Sequence, residues 1–556
     1  MDDNKIRFGR IFRIFSLACF IALGVWALLP PEEDAPDEDE APVDILERQD
    51  RRDRDVDYVI RFSPGPNYMP GSVPYGIGDP LRGLARVLRD FERRFPDTRV
   101  EVMTTPGTRE YLVTQLSSGQ APDIINVNVE DVWVDVQKEW YIPLDSFLES
   151  PNEFIREQGD PDAPGYEQWW DMFTYQAISR GKAAPDGLMY CISFDMVETG
   201  IYYNKDVFRQ LGLEPPDTWA EFTDLMQTIQ GTPVTPPGET EPRTIIPMLV
   251  NADMMTDWCH DLFFDQLYYS LLPGIDLMQD PLREGYLEGY LDDVELYFLF
   301  QQGFFTQADK RYRELFEIMY DFRQYCNQNI ASPDLVREFV TQRGAMLWMP
   351  CVLTYRLKAD RALAFDWGVF YLPQFTEETT RFASNTPMCV IGGSAAQFEV
   401  TNSAISDTPA GMPFEERIAT SKRLRRVMQL LQFLCVPENY ERIVNEYECF
   451  LPNIKGVEAL PALESFEEIL QRRYTTTKWA FTFDLKFYEI LRRMLELYLS
   501  DGIDLDGFMA FQEDNIRAAT ENLLVRKPVP HEKLREAWDA RAHLRDEMKG
   551  LPDGVN

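Results

Sequence analysis

At 556 residues the chain is too long for one compact core and suits two lobes of about 200 residues each plus appendages. Apolar residues make up 45% and aromatics 13%, enough to fill real cores, so wholesale disorder is excluded. With 92 acidic against 55 basic residues the net charge is -37, and no basic stripe relieves it, which excludes nucleic acid as a partner.

Lys5, Arg7, Arg10 and Arg13 precede an apolar run from Ile14 to Leu29, long enough for a short membrane span and equally suited to a signal-peptide core. Basic residues before the run and acidic ones after it leave residue 31 onward outside the cytoplasm. Residues 1–30 therefore read as a signal peptide or membrane anchor, with lipidation at Cys19 a third possibility. Residues 31–56, where Glu32-Glu33-Asp34 and Asp37-Glu38-Asp39-Glu40 alternate with prolines, form an acidic disordered linker.

Folded sequence begins with a strand at Asp57 to Phe62, followed by a helix that places Leu81, Leu84, Leu88, Phe91 and Phe95 on one face. A strand at Arg99 to Met103, a helix at Glu110 to Leu116 and a strand through Ile124 to Val127 follow. A helix carrying Val132, Val136 and Trp140 comes next. This alternation predicts an α/β lobe with a largely parallel sheet. Further on, Ile201-Tyr202-Tyr203-Asn204 reads as a strand and Val207 to Leu211 as a helix broken by Gly212. Pro215 and Pro216 set a turn, and Thr218 with Glu221 forms a capping box that starts the next helix. Adjacent strand residues face opposite ways, so Tyr202 and Tyr203 read as core and edge positions, not as paired metal ligands.

Cys191, Cys259, Cys326, Cys351, Cys389, Cys435 and Cys449 show no CxxC pair and no regular spacing. They read as buried small hydrophobes, with one or two disulfides possible, and not as a metal site. His260, His531 and His543 are the only histidines, too few for a His-based triad or a zinc site. No Walker-type loop is present, and no cofactor is expected.

The stretch from Cys191-Ile192-Ser193-Phe194-Asp195 through Asn204-Lys205-Asp206 to Thr218-Trp219-Ala220-Glu221-Phe222 resembles the crossover of bacterial extracellular solute-binding proteins of the sugar type. Phe95-Pro96-Asp97-Thr98-Arg99-Val100, Leu116 through Ile124 and Ile142-Pro143-Leu144-Asp145 look like successive signatures of that family's first lobe. Phe339 to Met346, Trp367-Gly368-Val369 to Leu372-Pro373, Gly392-Gly393-Ser394 and the helix from Arg426 to Tyr440 continue in the same order. The resemblance implies an α/β, two-lobe periplasmic-binding-protein fold whose lobes hinge about a cleft. The implied division is 57–195 with 376–448 as the first lobe and 196–375 with 449–527 as the second. A polar helical tail, 528–556, is expected to be solvated. The loop Thr232 to Pro242 and the segment Asp276 to Phe305 lie outside the family pattern.

A carbohydrate presents apolar C–H faces and rings of hydroxyls, so its site needs flat aromatic surfaces and side chains that accept and donate. Such groups are expected at the carboxyl ends of the strands. After the first strand stand Ser63, Asn67 and Tyr68, in a Pro/Gly-rich loop that also reads as plain surface. After the third stand Asn128 and Glu130, where the acid could equally cap a helix. Asp195 resembles a ligand-contacting crossover carboxylate, with a hinge hydrogen bond as its alternative. Either Trp258 or Trp348 could be the stacking platform, with burial in the core the default for both. Asn385, Gly392 and Gly393 mark a close backbone approach or a turn.

The resemblance implies a receptor that delivers its sugar to an ABC permease with a separate ATPase, at the periplasmic or extracellular face. Alternatives are a non-sugar solute such as a polyamine, a carbohydrate-active enzyme, and a tethered sensory or structural domain.

Overall fold

The computed structural model describes residues 55–552 apart from 106–108, 128–131, 133–134, 176–185, 279–290, 331–333, 391–392, 475–484, 527, 547 and 549. The apolar run Ile14 to Leu29 and most of the acidic linker lie outside the described residues. Among the described residues no helix is long and apolar enough to cross a membrane. Tyr58–Asn556 make up one compact unit, separate from Met1–Asp57.

The strands of the larger unit are β1 (Tyr58–Ser63), β2 (Thr98–Val102), β3 (Ile124–Asn126), β4 (Cys191–Ser193), β5 (Asp195–Met196), β6 (Thr199–Asn204) and β7 (Ile246–Leu249). They continue with β8 (Gly344–Pro350), β9 (Trp367–Phe370), β10 (Met388–Cys389), β11 (Gln397–Val400), β12 (Leu451–Pro452) and β13 (Arg473–Tyr474).

The first lobe is built on a sheet in the order β2-β1-β3-β11-β4. β1 runs parallel to β2 and β3, as the strand and helix alternation predicts, whereas β11 enters antiparallel between β3 and β4. A late strand returning from the other lobe thus completes a sheet begun by early sequence. Alternation along β1 buries Ile60 and Phe62, and Phe62 meets the Phe398 ring of β11 edge-on at 5.1 Å. The helix Gly83–Arg94 covers the sheet with Leu84, Val87, Leu88 and Phe91, spaced to share one face. Between β1 and the helix Lys422–Leu434, the buried Asp123 accepts the Arg61 amide at 2.7 Å and pairs with Arg423 at 2.6 Å.

The second lobe has a mixed sheet in the order β7-β8-β6-β9. β7 and β8 are parallel, and β6 is antiparallel to both β8 and β9. Tyr202 is fully buried in β6 while its neighbour Tyr203 is only partly so, the core and edge division expected of adjacent strand residues. The helix Lys205–Leu211 stops at left-handed Gly212, φ 64°. Thr218 and Glu221 form the reciprocal capping box at the head of Trp219–Gly231. The seven described cysteines are buried thiols with no disulfide among them.

The tail differs from the sequence reading. Leu534 and Trp538, one turn apart on the helix His531–Ala540, are buried, and Trp538 packs edge-on against Phe298 and Phe304. The Arg545 guanidinium lies 3.5 Å from the centroid of the Trp538 ring and donates to the Gly274 carbonyl at 3.2 Å. The charged residues that suggested a solvated helix occupy its outer face. Its inner face meets Phe298 and Phe304, which belong to the segment Asp276 to Phe305, one of the two other parts of the chain outside the family pattern.

Candidate functional site: the hinge and the strand ends facing it

Three chain segments meet between the lobes. β5 pairs antiparallel with β12, matching Met196 with Leu451 and Asp195 with Pro452. The third segment lies alongside, with the Val197 amide donating to the Gly393 carbonyl at 2.8 Å. Asn453 ties the junction further: its Nδ2 donates to the Ser193 carbonyl at 2.8 Å and its Oδ1 accepts the Tyr175 amide at 2.8 Å. The Tyr440 hydroxyl donates to the Phe194 carbonyl and accepts the Asn453 amide at 2.7 Å.

Asp195 sits at the centre of this junction, fully buried. Its Oδ2 accepts the Tyr68 hydroxyl at 2.6 Å. Its Oδ1 accepts the Ser394 hydroxyl at 2.9 Å and the amides of Ala395 and Ala396 at 2.7 and 3.1 Å. Burial raises the carboxyl pKa above the ordinary aspartate range, and the donors from Tyr68, Ala396, Ser394 and Ala395 oppose that shift. The expectation of a ligand carboxylate is therefore corrected. Four donors from the protein occupy the acceptor positions a carboxylate offers, so Asp195 is a hinge hydrogen-bonding centre.

Around it the structure gathers some of the expected residues and separates others. Asn67 is half-buried; its carbonyl accepts the Tyr447 hydroxyl at 2.8 Å and its Nδ2 reaches the Ala395 carbonyl at 3.5 Å. Ser63, at the carboxyl end of β1, is buried with its hydroxyl 2.8 Å from that of Thr105. Asn126 ends β3 and accepts the Gln397 amide at 2.9 Å. Gly65, φ 77°, folds so closely over it that a Cβ would lie 2.0 Å from the Asn126 Nδ2. Asn128, Glu130 and Gly392 lie outside the described residues. Gly393, φ 93°, occupies the hinge itself.

In the second lobe the chain leaving β7 forms a single π-helical turn, Met254–Trp258, a local winding frequent at functional sites. Trp258 ends this turn half-buried. Asp257 accepts the Tyr488 hydroxyl at 2.7 Å, and Asp253 pairs with Arg492 at 2.5 Å. Trp348 is a correction: it is wholly buried in the second core, its Nε1 donating to the Thr199 hydroxyl at 3.1 Å. β8 lies between β7 and β6, and Gly344 through Trp348 are all buried, so both faces of this central strand are covered. Asn385 is exposed and left-handed, with φ 53°.

Two hinge-side residues escaped the sequence reading. Tyr447 and Tyr355 reach the loop after β1 through their hydroxyls, and neither carries a local signal, because each partner lies hundreds of positions away.

Residues 78–263 match the family described as "Bacterial extracellular solute-binding protein". The chain is similar there to the bacterial extracellular solute-binding proteins. The "Multiple sugar-binding protein" of Streptococcus mutans serotype c (strain ATCC 700610 / UA159) is 28% identical over 153 residues, 28% of this chain and 32% of that relative. Among solved structures, the apo-form of RafE from Streptococcus pneumoniae has a TM-score of 0.54 and 15% identity, covering 84% of this chain and 99% of its own. The sugar-binding protein MalE from Xanthomonas citri has a TM-score of 0.52 and 16% identity, covering 84% and 100%. These two structures share the two-lobe fold.

Proposed function

We propose that the chain is an extracytoplasmic receptor that captures a carbohydrate by closure of its two lobes and delivers it to an ABC-type permease powered by a separate ATPase. The observation that carries this reading is the three-segment hinge between two α/β lobes in a chain related to solute-binding proteins. Relatives named for binding sugars favour a carbohydrate over other solutes.

In this reading the ligand lies outside the carboxyl ends of the strands. Asn67 faces it from the first lobe and Trp258 from the second, with Gly393 and Asn385 along the return segment; Asn128, Glu130 and Gly392 are candidates from the sequence, and Ser63 supports the loop from below through Thr105. Trp258 offers the aromatic face and the amides and carboxylate serve the hydroxyls. The ligand closes the lobes only by the difference in its affinity for closed and open forms. The segment Ile14 to Leu29 tethers the receptor to the outer face of the cytoplasmic membrane, with residues 31–56 as spacer.

A thermal-shift screen against mono- and oligosaccharides, polyamines and amino acids tests the reading, because a ligand that binds only the folded form raises its melting temperature. A shift confined to one sugar class supports it and identifies the cargo. A shift with polyamines alone replaces the cargo, sustained glycoside turnover replaces the class, and silence across the panel favours a sensory or structural role.

A further inference from the structure

The loop after β1 leaves the first lobe and touches the second. Its base is closed by paired backbone hydrogen bonds, Gly71 amide to Leu81 carbonyl at 2.8 Å and Leu81 amide to Ser72 carbonyl at 2.9 Å. On the hinge side it is fixed by the Tyr68 hydroxyl on Asp195 and by the Tyr447 hydroxyl on the Asn67 carbonyl. Its tip is a tight turn, Pro74–Gly76, in which Tyr75 holds the left-handed conformation at φ 54°, uncommon for a residue with a side chain.

Beyond the tip, the Ile77 carbonyl accepts the Tyr355 hydroxyl at 2.7 Å. Tyr355 belongs to the helix Leu353–Ala359, which follows β8 in the sheet of the other lobe. The fit is close: a Cβ on Gly78, φ 83°, would stand 2.3 Å from the Tyr355 hydroxyl. Tyr355 and Val352 also pack against the core of the first lobe, and the Tyr355 ring meets Tyr447 edge-on at 5.6 Å. On the outer side Lys358 pairs with Glu448 at 2.5 Å.

We propose that the loop 64–81 is a strap latched to the second lobe through Tyr355 and Ile77, holding the ligand-free receptor toward the lobe arrangement seen here and limiting how widely the hinge opens. The contact joins the lobes without being one of the covalent crossings, so opening that separates residue 77 from residue 355 breaks it. One hydrogen bond lost shifts the latched-to-open ratio by roughly 3- to 10-fold. The proposal rests on the two-lobe hinge but on no particular cargo.

The test needs no ligand. Spin labels at Ser118→Cys and Thr232→Cys, exposed sites one on each lobe, report the interlobe distance by electron–electron double resonance in the full chain carrying Cys19→Ser. The other seven thiols are buried and resist labelling. Tyr355→Phe, which keeps the ring packing and removes only the hydroxyl, moves the distance distribution toward longer values. Gly78→Ala, which drives a methyl against that hydroxyl, does the same by a different route. Distributions that superimpose on the parent's in both variants overturn the strap, and a Tyr355→Phe chain that fails to fold leaves Gly78→Ala to decide. A negative sugar screen leaves this result untouched.

Discussion

The Tyr68 hydroxyl donates to the Asp195 carboxylate at 2.6 Å, joining the loop after the first strand to the crossover between the lobes. Both side chains are buried, and both belong to a network whose other donors, Ser394, Ala395 and Ala396, come from the returning crossover. One carboxylate therefore gathers three separate parts of the chain, and its energetics are those of the hinge.

Removing that acceptor leaves four donors without the carboxylate they share. Asp195→Ala is expected to lower unfolding free energy by about 3–5 kcal/mol, and Tyr68→Phe by about 1–3 kcal/mol. In a double-mutant cycle with Asp195→Asn, the Tyr68→Phe cost shrinks by ~1 kcal/mol or more, because the two residues share one hydrogen bond. Additive costs in urea titrations would mean that each residue acts through other contacts.

A pH dependence follows from Glu295. It is buried, it caps the helix Asp293–Gln301 jointly with Asp292, and its Oε1 accepts the amides of Leu277 and Met278 at 2.7 and 2.8 Å. Burial first, then the neighbouring charge of Asp292, raises its pKa well above the usual glutamate range. The folded state thus holds a proton that the unfolded chain gives up, so stability falls as pH rises from the ordinary carboxylate range through the raised value. Glu295→Gln, lacking the titration, shows a flatter unfolding free energy over that window. A slope equal to the parent's would assign the pH dependence elsewhere.

Much of this architecture was legible in the sequence because it is encoded locally. Leu84, Leu88 and Phe91 recur at helical spacing, Gly212 stops one helix, and Thr218 with Glu221 starts another. Each of these signals needs only a few neighbouring residues. The ordered run of family signatures supplied the two lobes. What could not be read was long-range: the insertion of β11 between β3 and β4, the four donors that turn Asp195 inward, and the burial of Trp348. Trp258 and Trp348 look alike in sequence and part company only because one ends a π-helical turn while the other faces the core of a central strand. The tail misled through composition, since its charges outnumber Leu534 and Trp538, yet those two decide which face is buried.

That buried face gives the tail a stability role. Trp538→Ala removes a ring packed against Phe298, Phe304 and the Arg545 guanidinium, and is expected to cost about 3–5 kcal/mol. The loss should appear as increased amide exchange in residues 293–301, which the tail helix covers. Unchanged exchange there would show that the tail packs without stabilising what lies beneath it.

The cysteines make a chemical prediction. Burial, the largest cause, pushes the Cys326 and Cys351 thiols up to about 12, so neither supplies a useful fraction of thiolate at neutral pH. Alkylation of the native chain followed by mass spectrometry should leave all seven described thiols unmodified, and unfolding in guanidinium should expose every one. Resistance that persists after unfolding, and yields only to a reductant, would reveal a disulfide.

Trp258 supplies the sharpest test of where a sugar would sit. It is half-buried at the end of a turn that follows β7, on the lobe opposite Ser63 and Asn67. Trp258→Ala is expected to weaken binding of the sugar found by the screen about tenfold, the worth of an aromatic face against a sugar ring. Trp348→Phe makes the contrasting variant. It removes the indole N–H that Thr199 accepts at 3.1 Å and leaves a cavity inside the core, so it should lower stability by about 2–4 kcal/mol while leaving affinity unchanged. If calorimetric titration instead finds affinity lost in Trp348→Phe and kept in Trp258→Ala, the aromatic platform lies at the hinge end of β8 and not at the turn after β7.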